Sequence, residues 1–139
     1  MADLSPFGVA ASAGTLRTGV GVNLAHAWTP DGIDAAPASN GAQVLHLAVA
    51  VCILNDTFRE AKELGIPVDG VAVTADGGYD SDWRSTGIRY SLTIDSPASS
   101  GDLGRLIALV DDVAEIPRAL RAGTEVRRVS AEGPDAPTA

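Results

Sequence analysis

One long helical segment limits how the rest of this chain can fold. Residues Gly41–Leu64 have a helical pattern, and "GIP" ends it because Gly65 suits a helix C-cap and Pro67 cannot continue a helix. The predicted helix has about 24 residues, or about 36 Å at a rise of 1.5 Å per residue. Its first half is apolar nearly all round, whereas its second half is amphipathic. We therefore expect sheets or a second subunit to surround the N-terminal half.

Segments that alternate with the period of a strand follow this helix. "GVAVTADG" (70–77) and "GIRYSLTIDS" (87–96) predict two strands, and the polar "GYDSDWRST" between them suits a hairpin. Before the helix, residues 14–27 mix β-branched residues with glycines, which predicts one or two strands in a hairpin. Residues 29–41 are dense in Pro, Gly, Asp and Asn, which predicts a long loop.

A second helix and a last strand complete the predicted elements. Pro97 stops the preceding strand, and Ser99 is a suitable N-cap with Asp102 three residues later. Pro117 is expected to break or kink this helix, and "TEVRRVS" (124–130) predicts a closing strand. Because strands and helices fall in separate blocks, the order predicts an α+β fold. The apolar stripe of the second helix consists of Leu103, Leu106, Ile107 and Val110.

Length and composition restrict the class of protein. A chain of 139 residues with 45% hydrophobic residues predicts one domain over 1–129, followed by a flexible tail over 130–139 that is rich in Pro, Ala and acids. The net charge of -8 leaves no basic stripe for a phosphate backbone, so we expect no nucleic-acid partner. One Cys and two distant His residues have no zinc-site spacing, so neither a metal nor another cofactor is expected.

The N-terminus predicts no export, because it lacks a basic region ahead of a continuous apolar run. The longest apolar run, 44–54, is interrupted by His46 and has about half the length of a membrane-spanning helix, which needs roughly 20 residues. We therefore expect a cytoplasmic protein that has no membrane partner.

Two blocks within residues 36–129 resemble the OsmC/Ohr family of osmotically inducible and organic-hydroperoxide-resistance proteins. "SNGAQVLHLAVAVCILNDTFREAKELGIPVDGVAV" resembles the family's Asn-Pro-Glu-x-Leu entry to an interior helix, with a reactive cysteine twelve residues after the Asn; here these are Asn40 and Cys52. "IDSPASSGDLGRLIALVDDVAEIPRALRAGTEV" resembles the second helix and its closing Arg-x-Leu-Arg-x-Gly step.

The resemblance implies an intertwined homodimer, with antiparallel sheets around long central helices and active sites at the subunit interface. It also implies the reduction of organic hydroperoxides. In that chemistry a cysteine thiolate attacks the O–O bond, becomes a sulfenic acid and is resolved by a second cysteine of the same chain.

The sequence departs from the family pattern at two supporting positions. Ala42 stands where the family has a Glu that holds the catalytic arginine, and Ala114 stands where it has the resolving cysteine. An external thiol, or Cys52 of another chain, would therefore have to regenerate Cys52. The family's arginine comes from the N-terminal strands, and Arg17 is the only Arg before the long helix.

These departures leave two other functions open. One is an OsmC-fold enzyme recruited to hydrolysis, cyclisation or acyl transfer in specialised metabolism. The other is a non-catalytic protein that binds small hydrophobic ligands in an apolar pocket.

Helical geometry places two polar residues beside Cys52. Asn55 at i+3 and Asp56 at i+4 lie on or near its face. Asp56 would act as a base or orient a substrate, but its negative charge would raise the pKa of the thiol and oppose a thiolate mechanism. The simpler alternatives are that Cys52 packs as a small hydrophobe and that Asp56 marks the point where the helix leaves the core.

His46 lies about 240° around the helix from Cys52, which disfavours a Cys-His dyad in one chain. We expect it to be a hydrogen-bonded interior or interface residue with Gln43 as its partner. The predicted catalytic residues are Cys52, Arg17 and Asp56, and the predicted pocket for a small hydrophobic substrate is formed by Gln43, His46, Val49, Asn55 and Trp28.

Overall fold

A computed structural model describes residues 3–131 of the chain. An antiparallel sheet packs against helices, which confirms the predicted α+β class. The elements are β1 (Val9–Gly14), β2 (Val22–Leu24), β3 (Ile33–Ala36), α1 (Gly41–Leu64), β4 (Gly70–Tyr79), β5 (Ser85–Asp95), α2 (Ser100–Val113) and α3 (Glu115–Ala122).

The five strands form one sheet in the order β2-β3-β1-β4-β5, with every neighbouring pair antiparallel. Alternate residues of the two central strands are buried, and Ala11 lies opposite Val73 while Ala13 lies opposite Val71. This period of two gives the sheet one apolar face. The long helix α1 packs on that face.

The helix α1 has the predicted bounds because both of its ends are capped. At its N-terminus, Asn40 Oδ1 accepts a hydrogen bond from the Gln43 backbone N–H at 2.9 Å. At its C-terminus, Gly65 has φ +70°, in the left-handed region that a glycine adopts without strain. The apolar residues that α1 buries include Leu47, Ala50, Ile53, Leu54, Phe58 and Ala61.

One face of α1 is open in the single chain. Val44 is 51% exposed, Ala48 is exposed, and Val51 and Cys52 are partly buried. Among the described residues, α1 is long and apolar enough to span a membrane by length and composition, and 56% of its most apolar window is buried in the fold. The helix is buried to this extent because it packs against the sheet as a core helix.

Strand β3 lies within the segment that was predicted to be a loop. It has four residues, and it forms because Ala35 pairs with Ala11 of β1 on one side and with Val22 of β2 on the other. The predicted hairpin over residues 14–27 is wrong, because β2 pairs with β3 and β1, which begins at Val9, pairs with β3 and β4. Short strands of this kind depend on partners that are distant in sequence.

The C-terminal predictions need two corrections. The second helix is interrupted at Ala114, which has an extended ψ of 126°, and Pro117 lies in the first turn of α3, where its missing N–H is not needed. Residues 124–130 are exposed and form no strand, and within residues 3–131 none of the five strands pairs with them. Of the predicted tail, residues 132–139 lie outside the described part of the chain.

Two glycine substitutions should change stability in opposite directions. Gly65→Ala places a side chain in a left-handed conformation and should lower the free energy of unfolding by about 1 kcal/mol. Gly104→Ala, inside α2 with open space at its Cβ position, should raise that free energy by about 0.5–1 kcal/mol. Denaturant unfolding of both variants measures this, and equal effects would contradict the assignment of the C-cap.

Candidate functional site

The Cys52 sulfur lies between two carboxylates. Its Sγ atom is 3.7 Å from Oδ2 of Asp56, one turn further along α1, and 3.5 Å from Oε2 of Glu115, the first residue of α3. The thiol is placed to donate to either oxygen. Cys52 itself is half-buried on the open face of α1. We refer to Cys52, Asp56, Arg59 and Glu115 as the Cys52 cluster.

The Arg59 guanidinium joins both carboxylates of this cluster. Its Nη2 atom is 3.1 Å from Asp56 Oδ2, and its Nη1 atom donates to Glu115 Oε1 at 3.0 Å. The side chain of Asp56 is 2% exposed, whereas that of Glu115 is 61% exposed. The cluster therefore runs from the core to the solvent and connects α1 to α3. Asn55 Nδ2 donates to Asp56 Oδ1 at 3.2 Å.

The surroundings of Cys52 disfavour its thiolate. Burial raises the pKa of the thiol to about 11, and the negative charges of Asp56 and Glu115 act in the same direction. A hydrogen bond from the backbone of Ile116 opposes the shift only in part. The sulfur is therefore a neutral thiol near pH 7.

The two carboxyl groups of the cluster titrate in opposite directions. Burial raises the pKa of Asp56 to about 6, and the hydrogen bond with Glu115 adds to this effect, while Asn55 and Arg59 oppose it. The hydrogen bond from Asp56 lowers the pKa of Glu115 to about 2, with support from its own backbone N–H and from Arg59. The pair thus holds one proton, on Asp56, below about pH 6. A carboxyl group with this pKa is suited to general acid–base catalysis.

The donor atoms of Cys52, Asp56 and Glu115 lie within 4.8 Å of one another. A divalent cation can take a sulfur and two carboxylates as ligands. Here, however, the guanidinium of Arg59 already binds both carboxylates. The arrangement fits an ion-paired acid–base cluster better than a metal site.

Arg17 lies in a different network. Its Nη1 atom is 3.1 Å from Oδ2 of the buried Asp34, which also accepts hydrogen bonds from the Gly19 N–H and from Asn23 Nδ2. Its predicted role at Cys52 stays a prediction. Within the described chain, Arg59 is the arginine that belongs to the Cys52 cluster. Arg59 lies seven residues after Cys52 and three after Asp56, so the helical repeat alone could have placed it on the same face.

Gln43 and His46 contact the segment that precedes β1. The predicted hydrogen bond between these two side chains is not formed. A ring N–H of His46, at Nδ1, donates to the Phe7 carbonyl at 2.8 Å. Gln43 Nε2 donates to the Pro6 carbonyl at 3.1 Å, and its Oε1 accepts from the Ser39 backbone N–H at 2.8 Å. Both side chains thus hold the N-terminal segment against the start of α1.

Val49, one turn before Cys52, lines a groove of about 270 Å³ between α1, β5 and α3. The Tyr90 hydroxyl at this groove donates to Asp111 Oδ1 at 2.6 Å, and Arg121 Nη2 donates to the same atom at 3.0 Å. The groove has mostly apolar walls, so its size and lining suit a small hydrophobic group. Its lining residues are Val49, Ser85, Gly87, Ile88, Tyr90, Pro117, Leu120 and Arg121.

Trp28 lines a separate cavity of about 460 Å³ beside the C-terminal half of α1. The Lys62 ammonium group lies 5.2 Å from the centroid of its ring. The predicted pocket residues are therefore distributed along α1 and do not form one pocket. Glu115 was not predicted as a site residue, because it follows the break between α2 and α3 and reaches Cys52 only through tertiary packing.

Comparisons with known proteins found solved structures that this chain resembles. A solved structure of an OsmC-like protein from Mycoplasma pneumoniae has 19% sequence identity and a TM-score of 0.56, and the match covers 62% of this chain and 64% of that one. An OsmC-like hydroperoxide resistance protein from Jannaschia sp. CCS1 has 15% identity and a TM-score of 0.46, with coverage of 94% and 97%. No protein with a curated description matches the chain.

The family model described as "OsmC-like protein" matches residues 34–128, which include α1, the β4–β5 hairpin, α2 and α3. This match confirms the resemblance found in the sequence. The similarity to the Mycoplasma pneumoniae structure, at its level of identity, supports the fold alone. The matched segment contains the whole Cys52 cluster, and the chain belongs to the OsmC-like protein family.

Proposed function

We propose that this protein reduces organic hydroperoxides at Cys52, with Asp56 as the base that takes the thiol proton and an external thiol as the reductant. The observation that carries the proposal is the 3.7 Å contact between Cys52 Sγ and Asp56 Oδ2, in a cysteine twelve residues after Asn40. A nucleophile beside a base, with a third group that orients the base, is the usual arrangement for nucleophilic catalysis. Arg59 is that third group.

Attack and deprotonation have to occur in one step. With a thiol pKa of about 11, about one molecule in ten thousand carries a thiolate at pH 7. The sulfur therefore attacks the terminal peroxide oxygen while Asp56 accepts its proton. The O–O bond breaks, an S–O bond forms, and the departing alkoxide takes a proton from the Asp56–Glu115 pair. The products are an alcohol and the sulfenic acid of Cys52.

Regeneration of Cys52 needs two thiols from outside the chain, because Cys52 is its only cysteine. The first thiol condenses with the sulfenic acid, which releases water and leaves a mixed disulfide. The second thiol displaces Cys52 and becomes part of a new disulfide. Thiols are abundant in reducing compartments, so a cytoplasmic location suits this cycle.

The groove beside Val49 is the proposed site for the hydrophobic part of the substrate. It begins one helical turn from Cys52, and Ile88, Pro117 and Leu120 provide apolar walls. A hydroperoxide with a small alkyl or aryl group would place its apolar part there. The peroxide oxygens would then lie towards the sulfur.

We also propose that the protein is a homodimer in which the open face of α1 is covered by a second copy. Val44 and Ala48 are exposed apolar residues in the N-terminal half of α1, on a helix whose opposite face is buried against the sheet. Together with Val51 and Cys52 they form a contiguous apolar strip. A second subunit on this strip would exclude water from the reaction at Cys52.

Acid–base catalysis without a nucleophilic Cys52 is the second candidate function. The split pKa values of Asp56 and Glu115 favour it, because such a pair works as acid and base whether or not the sulfur reacts. Hydrolysis, cyclisation or acyl transfer would use this pair. The third candidate function is binding of a small hydrophobic ligand without catalysis. It is favoured if neither hydroperoxide reduction nor hydrolysis depends on the residues of the Cys52 cluster.

The peroxidase proposal predicts how consumption of cumene hydroperoxide depends on the cluster and on pH. In the presence of dithiothreitol, Cys52→Ser should reduce the rate to background and Asp56→Asn should lower it roughly 100-fold. The wild-type rate should rise with pH through about 6, where Asp56 becomes ionised, and then level off. A preformed thiolate would instead give a tenfold rise per pH unit up to about pH 11.

Asp112→Asn is the matched control for Asp56→Asn, because Asp112 is an exposed carboxylate on α2. It should leave the rate unchanged. A wild-type rate that is indifferent to Cys52→Ser would contradict the peroxidase proposal. Activity on an ester or thioester that survives Cys52→Ser but not Asp56→Asn would support the second candidate.

Reaction with iodoacetamide tests the electrostatics of the thiol without any substrate. Glu115→Gln removes a negative charge that lies 3.5 Å from the sulfur, so it should lower the thiol pKa and increase the alkylation rate at pH 8 by roughly tenfold. Mass spectrometry measures the fraction of Cys52, the single cysteine, that has been alkylated. Glu63→Gln, an exposed position on the same helix, should have no effect. A slower reaction in Glu115→Gln would show that Glu115 activates the thiol.

Substitution of the open face should prevent dimer formation. Val44→Glu and Ala48→Glu each place a charge in the apolar strip of α1, so both should yield a monomer in sedimentation velocity where the wild type is a dimer. Val20→Glu, at a valine that is 62% exposed outside α1, serves as the control. A wild-type protein that sediments as a monomer at all concentrations would refute the homodimer.

A further inference from the structure

An aromatic cavity of about 480 Å³ lies at the N-terminus of α1. The rings of Phe7, Tyr79 and Trp83 pack against one another with centroid distances between 5.3 and 6.3 Å. Ala42, on the cavity wall, precedes Cys52 by ten residues, or about 15 Å along the helix. The cavity is therefore distant from the sulfur of its own chain. Its lining residues are Phe7, Asn40, Gly41, Ala42, Tyr79 and Trp83.

The turn between β4 and β5 presents Trp83 to solvent. Its side chain is 71% exposed, and its φ of +61° lies in the left-handed region that a non-glycine residue rarely adopts. Asp80 fixes this turn, because its Oδ1 accepts hydrogen bonds from the backbone N–H groups of Asp82 and Arg84 at 2.9 and 3.0 Å. The Asp80 carbonyl also accepts from the Trp83 N–H at 3.0 Å. A large aromatic side chain that is held exposed in this way is typical of a binding surface.

The open face of α1 extends beyond its apolar strip at both ends and has its midpoint at Ala48. Exposed and partly buried residues recur on this face at spacings of three and four, which keeps them on one side of the helix. Ala48 has a small side chain, which allows two helices to approach closely. A pair of α1 helices, one from each subunit, therefore crosses best at Ala48. The residues with this spacing are Gly41, Val44, Ala48, Cys52 and Asn55.

The charges that follow the open face favour an antiparallel pair of helices. Arg59 and Lys62 continue the same spacing beyond Asn55, and both are at least partly exposed. A parallel pair would place each of them beside its own copy and would align the two helix dipoles, and both effects are unfavourable. A two-fold axis through Ala48 that reverses one helix relative to the other avoids both effects.

An antiparallel pair of this kind brings the aromatic cavity of one subunit to the Cys52 cluster of the other. Residues that are equally far from Ala48 in opposite directions face each other, so Cys52 faces the partner's Val44. By the same symmetry Asn55, which is bonded to the Cys52 cluster, faces the partner's Gly41. Because Gly41 lines the aromatic cavity, the cavity of each subunit lies beside the sulfur of the other.

We propose that the aromatic cavity of one subunit closes the Cys52 site of the other and selects hydroperoxides that carry an aromatic ring. The groove beside Val49 lies between α1, β5 and α3, whereas the partner's cavity covers the solvent-facing side of the sulfur. A substrate ring on that side would pack edge-on or offset against the partner's Trp83, as the three rings of the cavity pack against one another. This inference rests on the proposed homodimer and on the proposed reduction of hydroperoxides.

The same arrangement separates the two Cys52 residues of the dimer. Each lies four residues from the axis at Ala48, so the two are about 12 Å apart along the helices. A disulfide needs Cα atoms within about 7 Å of each other. Cys52 of the second chain therefore cannot resolve the sulfenic acid inside this dimer, and the resolving thiol has to come from outside it.

Oxidation with copper phenanthroline tests the arrangement without any hydroperoxide. Val44→Cys should form a disulfide-linked dimer on non-reducing gels, because its thiol faces Cys52 of the partner subunit. The wild type and the double variant Val44→Cys/Cys52→Ser should stay unlinked, as should Val20→Cys, which lies outside α1. A linked wild type, or an unlinked Val44→Cys, would overturn the proposal. A monomeric wild type in sedimentation velocity would refute the homodimer itself.

Steady-state kinetics test the selection of an aromatic ring. Trp83→Ala should raise the KM for cumene hydroperoxide roughly three- to tenfold and leave the KM for tert-butyl hydroperoxide unchanged, because only the first substrate has a ring. Trp83→Phe should retain most of the wild-type preference. Arg84→Ala, at an exposed position of the same turn that does not line the cavity, is the control and should change neither KM. Equal effects of Trp83→Ala on both substrates would overturn the aromatic selection.

Mixed dimers, purified through two different affinity tags, show whether Trp83 acts across the interface. A Cys52→Ser subunit paired with a Trp83→Ala subunit has an intact indole opposite an intact thiol at one of the two sites. Such dimers should regain the wild-type KM for cumene hydroperoxide, whereas a KM equal to that of Trp83→Ala would overturn the proposal. A protein without hydroperoxide activity would contradict the proposed function, and the disulfide result would then decide this inference by itself.

Discussion

The packing of α1 on the apolar face of the sheet is the constraint on which the rest of the structure depends. A helix of 24 residues with both ends capped has a fixed register, so each of its side chains has a fixed direction. Ile53, Leu54 and Thr57 are fully buried in the core, and Cys52 lies between them and the open face. The position of the Cys52 sulfur is therefore fixed by the burial of its neighbours.

The Cys52 cluster combines charges that would be costly to bury separately. Asp56 is 2% exposed, and its carboxylate is tolerated because Arg59 and Asn55 bind it and because it can hold a proton. The same charges make the thiol a poor acid. A chain with this cluster cannot depend on a preformed thiolate, which is why a base beside the sulfur is the central feature of the proposed chemistry.

Much of the fold could be predicted because its signals are local. The bounds of α1, the N-cap at Ser99 and the β4–β5 hairpin follow from caps, glycines and the period of two. The four-residue β3 was missed because its strand character comes from pairing with β1 and β2. Residues 124–130 have strand-forming residues, but a strand also needs a paired partner, and among the described residues none of the five strands pairs with this segment.

The sequence by itself determined the family, the place of Cys52 on a capped interior helix, and the approach of Asp56 at i+4, because helical geometry depends only on spacing. Only the tertiary structure decided that Glu115 completes the cluster and that Arg17 pairs with Asp34. It also decided that the predicted pocket residues separate along α1. These contacts join residues far apart in the chain, and their distances depend on how α3 and the loops pack against α1.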